Sequence, residues 1–193
     1  MGEIVNPSKE INARGLCPAD TWHPIRVYCD GSTIISPRFY YAIYQGIAFG
    51  ASHRFENISS DSSIYVYIEN PSDSGKKINI SLLEITTTDQ AHADIYINNT
   101  KTASGTSIPK INYNTESTNT SVLTLEYDGT YTPGDKIYSS VIPGGSAKYA
   151  VGGAVSIGEA FIIKEDFNMI IQVINKSTNA ADISIHGIWW EET

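Results

Sequence analysis

The chain has 193 residues, room for one large β-domain behind an arm and too little for two full domains. With 41% hydrophobic and 18% charged residues, general disorder is excluded. A net charge of −8 opposes a phosphate backbone, the longest basic run is Lys76-Lys77, and no apolar window reaches the length of a spanning helix, so neither nucleic acid nor a membrane is an expected partner.

Residues 1–24 carry Pro7, Pro18 and Pro24 without sustained periodicity and read as an extended N-terminal arm, with room for one helical turn from Ser8 to Ala13. An arm of this kind is stable only against a neighbour, which makes Ile4, Val5, Ile11, Leu16 and Trp22 candidate interface residues. The segment from Met1 to Pro7 lacks the basic and apolar regions of a secretion signal, and Asn6 stands where a myristoylation motif wants Ser or Thr. Cys17 and Cys29 are expected as free thiols, with pairing left open.

Residues 25–193 read as a single domain of successive strands. Between Pro37 and Gly46 the run Phe39-Tyr40-Tyr41-Ala42-Ile43-Tyr44 suits a strand or two turns of helix, and its aromatic content favours the strand. Ile64, Val66 and Ile68 alternate with Tyr65 and Tyr67; Ile78, Ile80 and Leu82 follow, and Leu83 and Ile85 shift the row by one, the mark of a β-bulge. Further inward rows are Ala91, Ala93, Ile95 and Ile97, then Leu123, Leu125 and Tyr127, then Phe167, Met169, Ile171 and Val173, then Ile183 and Ile185. The polar segment from Asn98 to Asn119 is expected to project as a loop from one end. About ten strands without an amphipathic helix predict an all-β, antiparallel two-sheet sandwich, jelly-roll-like.

A hydrolytic triad requires a nucleophile on a sharp turn, and no G-x-S-x-G elbow is present. His23, His53, His92 and His186 stand singly, outside any zinc-ligand spacing, so no metal, cofactor or catalytic residue is expected. Loop carboxylates from Asp128 to Asp135 leave calcium open. Sequons at Asn57, Asn79, Asn98, Asn119 and Asn175 carry little weight in a chain this rich in Asn, Ser and Thr. In Trp189-Trp190 the rings point to opposite faces of one strand, so both are candidate interface residues and one is expected to leave the core.

Ile68-Glu69-Asn70-Pro71, Ser74-Gly75-Lys76, Ala93-Asp94-Ile95-Tyr96, Asn119-Thr120-Ser121-Val122, Ile142-Pro143-Gly144-Gly145-Ser146 and the closing Val173-Ile174-Asn175 to Trp189-Trp190-Glu191-Glu192 form a run of features. Over residues 62–192 this run resembles a group of small β-sandwich virion proteins of tailed phages, prophages and archaeal viruses. The resemblance implies a capsid decoration or head-associated component, non-enzymatic, partnered by the major capsid protein or other virion subunits. By analogy it also implies a homo-oligomer, with a trimer favoured, in a virion assembled in the host cytoplasm. A carbohydrate- or receptor-binding module is the alternative, because exposed Trp and Tyr on a sandwich stack on sugar rings.

Overall fold

A computed structural model describes residues 38–143 and 154–193, together with two short paired strands before them, β1 (Arg26–Val27) and β2 (Thr33–Ile34). The expected arm with Ile4, Val5, Ile11, Leu16 and Trp22, the boundary after residue 24, and Cys17, His23 and Cys29 all lie outside the described residues. The chain divides into two compact units, residues 1–41 and 42–193, and the second is the sandwich.

The stretch expected as a strand between Pro37 and Gly46 is instead a helix, α1 (Arg38–Tyr44). Gly46 explains the correction: its φ of +68° is the left-handed conformation that closes helices, and Gly46 N–H donates to the Ile43 carbonyl while Ile47 N–H donates to that of Ala42. Those two bonds are a Schellman cap, a stop signal that outweighs the strand preference of the aromatic run.

Eight long strands form the body. They are β3 (Ala48–Ile58), β4 (Ser63–Asn70), β5 (Lys77–Thr87) and β6 (Ala91–Ile97), then, after an insertion, β12 (Asp135–Ile142), β13 (Ala154–Ile163), β14 (Phe167–Asn175) and β15 (Ala181–Glu192). The insertion carries β7 (Thr100–Ala103), β8 (Thr106–Ser107), β9 (Lys110–Asn112), β10 (Thr124–Tyr127) and β11 (Thr130–Thr132). One sheet runs β12-β6-β14-β4-β10-β8 and the other β13-β5-β15-β3-β9, all antiparallel. Without the insertion, the two four-strand orders, β12-β6-β14-β4 and β13-β5-β15-β3, are those of a jelly roll.

The alternating rows meet between the sheets. Ile171 lies across from Ile95 on one side and Val66 on the other, with Val173 between Ala93 and Ile64 in the next row, and all six are buried. Across the sandwich, Ile185 pairs with Ile85, and Trp189 stacks on Phe49 with ring centroids 6.2 Å apart. Each fully buried Ile or Val contributes about 1.5–3 kcal/mol over an exposed one, which is why the period-two pattern fixes register. The bulge expected in β5 is present: Ile188 pairs with Leu82 and Trp189 with Ile80, leaving Ser81 as the extra residue and Leu82 half-buried.

Segment 98–119 does not project as a loop. β8 joins β10 in one sheet, β9 joins β3 in the other, and β7 pairs with β11 as a separate ribbon. Ile108 is the reason, because its side chain is 4% exposed and its N–H donates to the Leu125 carbonyl, which anchors a mostly polar segment to the core.

Candidate functional site

The outer face of the six-stranded sheet carries two polar clusters built from strands far apart in sequence. In the first, Lys101 of β7 reaches Glu126 at 2.8 Å and Glu69 at 3.3 Å, its ammonium 4.7 Å from the centre of the Tyr67 ring. Tyr131 of the ribbon lies flat on Tyr67, centroids 5.1 Å apart, and Gly105 N–H donates to the second Glu126 oxygen. Burial, reinforced by the negative charge of Glu69, pushes the Tyr67 hydroxyl up to about 12. Burial alone would depress Lys101, but its hydrogen bond to Glu126 and the two carboxylate charges raise it instead. This ammonium and this phenol therefore stay protonated as structural members.

The second cluster crosses four strands. Asp94 accepts from Ser139 and Lys136, each at 2.6 Å, and from Tyr96 at 3.3 Å; Tyr96 also donates to Gln172, whose amide donates to Tyr65 and Ser63. Burial pushes the Asp94 carboxyl up, but these hydrogen bonds and the Lys136 charge together hold it below the ordinary value of 3.8. Every polar group named here has a partner inside the sheet, so the arrangement joins strands.

At the end of the sandwich where β15 finishes, a groove of about 340 Å³ opens between Ile47, Phe49, Lys76, Thr118–Thr120, Val122 and Glu191. Glu191 is 4% exposed and takes hydrogen bonds from Ser121 Oγ, Val122 N–H and Trp189 Nε1. Behind it, Lys110 donates to the Leu123 carbonyl; burial lowers this ammonium and the Glu191 charge opposes the shift. Sequence reasoning missed this groove because its members come from four separate segments and share no motif. An apolar cavity of about 40 Å³ also remains in the core beside Leu83, Met169 and Gly187.

The expected interface tryptophans are both buried. Trp189 is 1% exposed in the core, and Trp190, on the other face of β15 as alternation requires, is 7% exposed and donates its indole N–H to Glu192. Trp190 thus lies off the inter-sheet core as expected, but its ring is buried on the outer face of the strand rather than exposed. His53 points between the sheets, stacked on Tyr127 at 4.1 Å, and His186 faces Glu84 at 3.9 Å. Among the described residues no three His, Cys, Asp or Glu side chains gather as a metal site, and Asp135, at the end of the segment that the sequence leaves open to calcium, accepts from Asn98. Asn79 and Asn175 are 5% and 0% exposed, which denies a glycan access to two of the five sequons. No helix among the described residues is long and apolar enough to cross a membrane.

Among the described residues, the exposed aliphatic side chains on long strands lie on the end strands of the two sheets. Ile137 and Val141 lie on β12 and Ile162 on β13, the neighbouring end strands. Comparison of the chain with protein-family models and with curated proteins gives no match.

Proposed function

We propose that this chain is a structural protein of a virus particle, a capsid decoration, cementing or minor head component that acts through protein contacts and not through chemistry. Its partners on this reading are the major capsid protein or other virion subunits and further copies of itself, a trimer by analogy, in a virion assembled in the host cytoplasm. The observation that carries the reading is the exposure of aliphatic side chains on the end strands of both sheets, Val141 58% and Ile137 44% on β12 and Ile162 67% on β13. Branched side chains left in water on the end strands of a sheet favour association with another protein surface. The buried charged groups support it too, since Glu126, Asp94 and Glu191 are each engaged in hydrogen bonds within the fold. The candidate arm residues Ile4, Val5, Ile11, Leu16 and Trp22 would add a second contact.

The test is incorporation into particles. A Val141→Lys, Ile162→Lys double variant should fold, since both side chains already face water, and should be lost from purified particles. Deletion of residues 1–20 should likewise leave a folded sandwich that no longer attaches. Particles that retain both variants at the normal level contradict the proposal.

A further inference from the structure

The groove at the end of β15 has a composition that the packing of the sandwich does not require. Lys76 is held by its backbone on both sides, its N–H donating to Ser74 Oγ and its carbonyl accepting from Asn70 Nδ2, while its ammonium makes no ion pair or hydrogen bond with the described residues. Glu191, the carboxylate of the groove, already takes hydrogen bonds from three protein donors. Lys110, whose charge interacts with Glu191, is committed to the Leu123 carbonyl, and the Glu165 carboxylate accepts from Gly75 N–H just before Lys76, so Lys76 is the cation the groove itself offers in a chain whose net charge is −8. A cation without an ion pair among the described residues, beside a carboxylate turned onto protein donors, is a place for an incoming anion.

The remaining lining narrows the ligand. The Asn119 amide N–H₂ is spent on the Gly46 carbonyl and its backbone N–H on Ser117, which leaves its side-chain oxygen as an open acceptor. The hydroxyls of Thr118 and Thr120 are exposed and have no hydrogen bond to the described residues. Ile47, Phe49 and Val122 supply an apolar wall. One cation, three open polar groups and an apolar wall within about 340 Å³ match a sugar ring that bears a carboxylate: hydroxyls for the polar groups, the C–H face for the wall, the carboxylate for Lys76.

We infer that this groove binds an acidic saccharide, a uronic acid unit, with Lys76 pairing its carboxylate and Thr118, Asn119 and Thr120 receiving its hydroxyls. The inference does not rest on the virion reading, because the groove is complete within the sandwich.

The experiment is titration of the full chain by calorimetry with an oligogalacturonate and with the neutral galacto-oligosaccharide of the same length. The expected result is binding of the acidic sugar that weakens with salt, and weaker binding of the neutral one. Lys76→Gln should lower affinity at least about tenfold, and Thr120→Val should lower it several-fold. Lys77→Gln, at the exposed neighbouring position, should match the wild type. Absence of acidic-sugar binding, equal affinity for the neutral sugar, or an unchanged affinity in Lys76→Gln each overturns the inference. Melting curves of all variants separate lost binding from lost fold.

Discussion

Two lysine–carboxylate clusters share the outer face of the six-stranded sheet and differ in what lies over them. Lys101 with Glu126 is roofed by the ribbon of the insertion, and their side chains are 24% and 7% exposed. Lys136 with Asp94 stands on the end strand, where the carboxylate is 8% exposed but the ammonium 45%. A lysine at the rim turns to water when its partner is removed, whereas one beneath a ribbon is left partly desolvated and poorly paired. The insertion therefore turns one patch of sheet exterior into a small second interior, and the covered cluster should matter more to stability than the open one.

The most damaging way to break that difference is to lift the roof. A Cβ at Gly105 would lie 1.9 Å from the Tyr127 carbonyl oxygen and 2.6 Å from Gly129 N, both backbone atoms with little freedom to retreat. Gly105→Ala should cost about 3 kcal/mol, visible as a fall in Tm of roughly 9 °C, with loss of amide-exchange protection confined to the ribbon and β8. Next comes the cluster itself. Glu126→Ala strands Lys101 with Glu69 and leaves Gly105 N–H without its acceptor, for about 2 kcal/mol. Asp94→Asn, which frees Lys136 at the rim to turn to water, should shift the urea midpoint far less, and equal shifts for the two would refute the contrast.

Protonation gives a subtler probe. The folded Asp94 carboxyl lies below its ordinary value of 3.8, so its contribution is present above that value and disappears as pH falls through the folded value. Across about pH 3 to 5, Asp94→Asn should show a shallower decline of stability than the wild type, and parallel curves would contradict the assigned bonds. The smallest effect belongs to a second glycine. Gly187 borders the core cavity with nothing within 4 Å of an added Cβ, so Gly187→Ala should stabilise by about 0.5–1 kcal/mol, the reverse of Gly105→Ala.

The inner faces were legible in the sequence because one period of two writes them directly: Ile64, Val66 and Ile68, or Met169, Ile171 and Val173, each face the core as their alternation requires. The slip from Leu82 to Leu83 signalled a bulge by the same logic, which the structure places at Ser81. The outer face was illegible because its bonds join partners such as Asp94 and Ser139, 45 positions apart, whose register depends on the whole sheet. Helix α1 was misread although Gly46 carried its stop signal, since aromatic content was weighed above capping. Segment 98–119 looked like a loop because a single apolar anchor, Ile108, holds it, and one residue makes no period. The burial of Trp190 escaped alternation, which reports which face a ring occupies and not what covers it.

The most direct test of the assembly reading is the mass of the full chain in solution, measured by sedimentation over a wide range of concentrations. The proposal predicts a fixed multiple of the 21.1 kDa protomer that persists on dilution and falls to one protomer in the Val141→Lys, Ile162→Lys variant. A 21.1 kDa species at every concentration, with the variant indistinguishable from the wild type, would contradict it.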